Sequence, residues 1–125
     1  MKNYKDLKVY QQAFDLAVKV HRTTMKLPKY EMYEQGSQVR RSSKSIKDTI
    51  VEGYGRRRYK AEFVKFLVYA HGSCDETISQ LEMIQVLHSK KVPVEDLIAD
   101  YNDLGKQINN LIQYVEKNWL SGSPG

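Results

Sequence analysis

The sequence predicts an all-α protein: a single domain folded as an antiparallel up-down four-helix bundle. Three observations predict it. Apolar residues return at spacings of three and four along four successive stretches, the period of one helix face. No stretch alternates apolar and polar residues with the period of a strand. The connections, near Pro28, Gly53 and Pro93, are short, and short connections make consecutive helices antiparallel neighbours. A chain of 125 residues is long enough to bury a core without disulfides or metal. The expected domain covers residues 1–120, and the polar, Pro/Gly-containing stretch 121–125 is expected to be a disordered tail.

The first helix is expected over residues 6–27, with Asp6 as its N-cap and Pro28 as its stop. Val9, Ala13, Leu16, Ala17, Val20 and Leu27 form its apolar stripe, with Phe14, Val18 and Met25 beside it. That stripe is wider than one neighbouring helix requires. Residues 28–36 read as a connection carrying Tyr30 and Tyr33.

The second helix is expected over 37–53, where Val39, Ser43, Ile46, Ile50 and Gly53 recur at four, three, four, three. The small Ser43 on this seam lets another helix approach closely. Arg40, Lys44 and Lys47 lie on the other side in one stripe, with Arg41 alongside. Gly53-Tyr54-Gly55 is expected to break the helix, as glycines do at C-terminal caps, and residues 56–59 then form a charged turn.

The third helix is expected over 60–89, with Phe63, Phe66, Leu67, Ala70, Cys74, Thr77, Leu81, Ile84 and Leu87 on its core face. Pro93 opens the fourth, where proline is tolerated. Its seam is Leu97, Tyr101, Leu104, Ile108, Leu111 and Val115, and Ile98, Ile112 and Trp119 stand beside it. Surplus apolar residues on helices 1 and 4 point to an oligomer interface; a wider core stripe is the alternative.

Charge is concentrated in residues 36–60. This window holds Arg40, Arg41, Lys44, Lys47, Arg56, Arg57, Arg58 and Lys60 against Asp48 and Glu52, a net charge of +6 in a chain of net charge +5. The remainder therefore sums to −1. Such a segment suits an anionic partner, and nucleic-acid phosphate is the commonest. Tyr54 and Tyr59 flank the arginines and are positioned to stack on bases. A solvated face that maintains solubility is the competing reading, although such faces mix charge signs. An acidic protein docking on a scaffold is another alternative.

Other chemistries find little support. No apolar run approaches the roughly 18 residues of a membrane span, and no apolar segment follows the N-terminus as in a signal peptide. With the lone Cys74, this points to a soluble cytoplasmic protein with no membrane association. Di-iron bundles need Glu three residues before His; before His21, His71 and His88 stand Val18, Val68 and Gln85. Three histidines and one cysteine supply no zinc cluster. Cys74 lies one turn after His71, but on the apolar seam, which reads as a buried thiol more than a thiolate pair. Gly53-Tyr54-Gly55 lacks the preceding strand and the Gly-Lys-Ser/Thr ending of a phosphate loop. Glu52 reads as a neutralising partner of Arg56 or Arg41 more than as a general base. The expectation is no enzyme and no cofactor.

A set of short segments in order carries a family resemblance. It begins with Asp6-Leu7-Lys8-Val9-Tyr10-Gln11 and Ala13, then Leu27-Pro28, Glu31, Tyr33 and Gln38-Val39-Arg40-Arg41. Ser45-Ile46, Ile50-Val51-Glu52-Gly53 and Arg56 follow, and Phe63-Val64-Lys65-Phe66-Leu67, Ala70-His71-Gly72-Ser73, Glu76 and Leu81 complete it. In these the chain resembles the four-helix-bundle proteins related to those encoded in bacterial 23S rRNA intervening sequences (the S23 family). It is also similar to the accessory variability determinants of diversity-generating retroelements. It departs from the pattern at Tyr33-Glu34-Gln35, where Tyr-Gly-Leu is frequent. It departs again at Thr49-Ile50-Val51-Glu52-Gly53, where Asn-Ile-Ala-Glu-Gly is frequent, and at Tyr59, where Ser or Thr often caps the third helix. The resemblance implies a ring of protomers, a homopentamer, with a positive surface that binds structured RNA or an RNA–DNA hybrid. In the retroelement relatives it implies a reverse transcriptase as partner. The cations at 40, 41, 44 and 47 would contact phosphates from helix 2, and those at 56, 57, 58 and 60 would extend the patch across the turn. Charge reversal at Arg40 and Lys44 is expected to leave the fold intact, since both lie off the apolar seam.

Overall fold

The computed structural model describes residues 3–119. Asn3, not Asp6, opens the folded chain. Its side-chain oxygen accepts the Lys5 N–H at 2.8 Å, and the Asp6 carboxylate accepts the Asn3 N–H at 3.2 Å. This reciprocal pair closes a 3-10 turn, Tyr4–Asp6. Helix α1 then runs over Lys8–Thr24 from an N-cap, Leu7, that makes no side-chain cap bond. Asp6 is thus the far partner of a capping box and not the cap of α1.

The end of α1 also comes earlier than its apolar pattern suggests. Beyond Thr24 the N–H groups of Lys26 and Leu27 bond three residues back, to Thr23 and Thr24, each at 3.1 Å. This tighter winding turns Leu27 into the core, where it is 3 % exposed. The Pro28 carbonyl accepts the N–H groups of Glu31 and Met32, building a single helical turn, α2 (Lys29–Met32), inside the expected connection.

Three long helices follow: α3 (Gln35–Gly55), α4 (Lys60–His88) and α5 (Glu95–Asn118). There is no strand among the described residues. Each long helix touches two others: α3 packs on α1 and α4, and α5 packs on α4 and α1. The core between them is a single apolar cluster that includes Val20, Val39, Ile46, Ile50, Phe63, Leu67, Leu81, Ile84, Leu104 and Ile108. Along the α3–α4 seam, Ser42 meets Thr77 at 2.9 Å, Ser45 meets Ser73 at 3.3 Å, and Gly53 lies against Phe66 and Phe63. Along α4–α5, Cys74 bonds the Tyr101 carbonyl at 3.2 Å and the Phe63 and Trp119 rings meet edge-on at 5.4 Å.

The helix ends within the expected Gly53-Tyr54-Gly55 segment, but at Gly55, two residues beyond the expected bound at Gly53. Neither glycine has left-handed backbone. A Cβ on Gly53 would sit 2.9 Å from Phe66 Cβ, so this glycine serves close helix approach rather than a cap. The helix ends when the N–H groups of Arg56 and Arg57 return to the Gly53 and Tyr54 carbonyls.

On α5, Ile112 is buried and Leu111 only half-buried, so the seam steps four residues from Ile108 and not three. A strict seven-residue repeat drifts by about 20° per heptad on a straight helix, and one four-residue step restores the face. Trp119 and Ile98 also pack against the core. The apolar surplus expected outside this helix is therefore absorbed inside it. Pro93 precedes α5 by two positions, between Val92 and Val94, which are buried and anchor the link. On α4, Phe66 is half-buried and Leu87 is 56 % exposed, so neither belongs to the inner face. The expected tail, 121–125, lies outside the described residues.

Candidate nucleic-acid interface

The eight cations singled out by charge do not form one patch. Two of them turn into the fold. Arg40 Nη1 donates to the Thr24 hydroxyl at 2.9 Å and Nη2 to the Met32 carbonyl at 2.8 Å. Arg57 Nη1 donates to the Tyr54 carbonyl at 3.0 Å, and its guanidinium lies 4.1 Å from the Tyr54 ring centroid. The Arg57 carbonyl in turn accepts the Trp119 indole N–H at 2.7 Å.

Two more are partly engaged. Lys47 Nζ pairs with Asp48 at 2.6 Å. Arg56 reaches Glu62 at 3.6 Å and rests 4.7 Å from the Phe66 ring centroid. Among the described residues Glu52 pairs with neither Arg56 nor Arg41, contrary to expectation; the first turn of α4 supplies Glu62 as the acid for Arg56 instead. Among the described residues, Arg41, Lys44 and Arg58 are exposed with no hydrogen-bond or ion-pair partner, and Lys60 is half-buried and also unpaired.

The free cations of α3 fall on two sides of that helix. Arg41 borders a polar groove against α4, lined also by Gln38, Ser42, Ser45, Ser73, Glu76 and Gln80. Lys44 and Lys47 border a different groove against α1, with Phe14, Ala17, Val18, His21 and Arg22 on its other wall. His21 and Arg22 were not among the sequence candidates, because α1 is read there only for its apolar seam. The signal was present: Phe14, Val18, His21 and Met25 recur at four, three, four, so the second stripe of α1 carries a histidine in its middle.

The aromatic candidates also change. Tyr54 is buried, with its ring edge-on to Phe63 at 6.2 Å, and is closed to a base. Tyr59 is 56 % exposed. Phe14, overlooked as a stacking residue, is 44 % exposed in the α1–α3 groove.

The His71–Cys74 pair makes no nucleophile. Cys74 is fully buried and its thiol donates to the Tyr101 carbonyl, whereas His71 Nδ1 faces Asp75 at 3.6 Å. Burial, helped by the charge of Asp75 and partly offset by the Gly105 backbone, pushes the thiol up to about 12. Among the described residues no group of three or more His, Cys, Asp or Glu side chains is placed to hold a metal ion. No described helix is long and apolar enough to cross a membrane.

A sequence model of the 23S rRNA-intervening sequence protein family matches residues 5–110. The chain belongs to this family. The matched span runs from the 3-10 turn through α4 and into α5, so both grooves and all eight cations lie within it. No curated protein matches the chain.

Proposed function

We propose that the protein is a non-enzymatic, homo-oligomeric RNA-binding accessory protein of the cytoplasm that uses the cations of α3 and the following turn. The family's name, which refers to 23S rRNA, supports an RNA-associated role. The observation that carries the reading is the trio of exposed cations without acidic partners, Arg41, Lys44 and Arg58, beside Lys47, Arg56 and Lys60. Charge of one sign left uncompensated on a surface repels itself and is offset when an anionic polymer arrives. Arg40 and Arg57, whose guanidiniums are engaged internally, take the role of bracing this surface.

The protomer in this reading is an up-down antiparallel bundle. The descending order of the α3–α4 contacts supports that arrangement. Assembly into a ring, a pentamer, and cooperation with a reverse transcriptase acting on RNA or an RNA–DNA hybrid rest on the retroelement resemblance. Exposed Met25 at the C-cap of α1 and Val68, Tyr69, Met83 and Val86 on α4 supply apolar surface for assembly. Light scattering at micromolar concentration should report a multiple of the 14.6 kDa protomer mass.

The RNA reading is tested by anisotropy titration of a structured RNA and a DNA duplex at two salt concentrations. Three or four phosphate contacts per protomer give a slope of log K against log salt near −3. Salt-independent binding overturns the reading. Affinity for acidic peptides with none for RNA would instead favour a scaffold that docks an acidic protein.

A further inference from the structure

We infer that the groove between α1 and α3 receives an unpaired base of a single-stranded nucleic-acid segment, stacked on Phe14, with the adjoining phosphates held by Arg22 and Lys44. The inference rests on the nucleic-acid reading above and specifies which form of nucleic acid this surface prefers.

The groove has a volume of about 470 Å³, within the roughly 300 to 1,000 Å³ of ligand clefts. Phe14, Ala17 and Val18 supply its apolar lining, and His21, Arg22, Lys44 and Lys47 its polar lining. No acidic residue lines it. Asp96 and Asp100 border the next depression, on the far side of Arg22, without forming an ion pair with it. Among the described residues Arg22 and Lys44 are both exposed and unpaired, whereas Lys47 is half-buried and paired with the exposed Asp48.

An aromatic ring in a groove edged by free cations is the recurring arrangement for single strands. The base stacks on the ring and the phosphates on either side meet the charges. The Phe14 ring meets Tyr10 in a tilted contact at 6.1 Å between centroids, and the residue keeps 44 % of its surface exposed. A duplex keeps its bases stacked inside and cannot offer one to Phe14. The polar α3–α4 groove contains no aromatic residue and carries Glu76, so it lacks this chemistry. The α1 wall spans Phe14 to Arg22, about 12 Å at the helical rise. This is shorter than the roughly 15 to 20 Å of an ordinary docked helix.

The test uses a short single-stranded RNA carrying one 2-aminopurine and the same sequence as a duplex, with the whole protein. Wild-type protein should prefer the single strand and change the 2-aminopurine fluorescence. Phe14→Ala should weaken single-strand binding by roughly 5- to 100-fold and abolish the fluorescence change. Duplex affinity and the salt slope should stay as they were. Phe14→Trp keeps a stacking face and should restore both signals, which separates lost stacking from a damaged fold. Arg22→Gln with Lys44→Gln should weaken both RNAs and reduce the single-strand slope by about 0.7 for each lost contact. Single-strand binding within twofold of wild type in Phe14→Ala, or equal preference for the duplex, overturns the stacking inference and leaves the phosphate surface standing. If Arg22→Gln with Lys44→Gln alters neither affinity nor slope while other α3 cations do, the groove is not part of the interface and the inference falls. Absence of salt-dependent binding to either RNA overturns the broader RNA reading along with it.

Discussion

Arg40 holds Thr24 at 2.9 Å, and through its second nitrogen it holds the Met32 carbonyl at 2.8 Å. One side chain of α3 thereby ties down the last turn of α1 and the single turn of α2. The Thr24 hydroxyl is itself buried and donates to the Val20 carbonyl at 2.8 Å. Removing Arg40 leaves a buried hydroxyl short of a donor and opens the α2 turn. Lys44, one turn on, has no hydrogen-bond or ion-pair partner among the described residues.

Arg40→Ala is therefore expected to destabilise the fold by about 1.5 to 3 kcal/mol, the range for hydrogen bonds from a charged group. Lys44→Ala should stay within about 0.5 kcal/mol of wild type. Urea unfolding of the two variants side by side decides this, and equal stabilities would remove Arg40 from the frame of the bundle. The same comparison revises the expectation that charge reversal at both positions leaves the fold untouched.

Gly53→Ala should cost about 1 to 3 kcal/mol, because the new methyl meets Phe66 Cβ at 2.9 Å across a helix seam that has no slack. Gly55 has open space around its Cβ position and sits at the helix end. Gly55→Ala should be neutral or stabilising by up to about 1 kcal/mol. Thermal melts of both variants check the contrast; a melting point lowered equally by the two would argue against close approach at Gly53.

Cys74 has an ordinary thiol value of 9.0, pushed up to about 12 mainly by burial. Between those two pH values the unfolded chain releases this proton and the native chain keeps it. The native state then binds more protons, so stability falls as pH rises through that window, by about 1.4 kcal/mol per pH unit for this group. Burial raises the Tyr101 phenol as well, which adds to the same trend above pH 10. Cys74→Ala should flatten part of the alkaline decline measured by urea titration. At neutral pH the thiol should react slowly with a thiol reagent in native protein and quickly in denaturant; fast native labelling would contradict its burial.

Tyr101 is fully buried, and among the described residues its hydroxyl makes no hydrogen bond. The Ser43 hydroxyl beside it spends its own proton on the Arg40 carbonyl at 3.0 Å. Tyr101→Phe keeps the ring and removes an unsatisfied oxygen. It should be neutral or raise stability by about 1 kcal/mol. A clear loss of stability on substitution would show that the phenol is satisfied by Ser43 or by a buried water.

Four long helices, and most of the residues each one buries, are legible in the sequence. The sequence also locates the positive charge. These properties are local: a period of 3.6 residues places Val39, Ile46 and Ile50 on one side of α3 whatever they meet there. What local reading could not decide was which cations remain free. Arg40 is taken by Thr24 and Met32, and Arg56 finds Glu62 and not Glu52. Each of these partners is set by how helices and turns cross in space, and no spacing along the chain encodes it. The same holds for Gly53, whose role depends on Phe66, and for Phe14, which joins Lys44 only because α1 and α3 lie side by side. Periodicity is a property of one segment, whereas a hydrogen-bond partner or a groove belongs to two, and only the tertiary structure brings those two together.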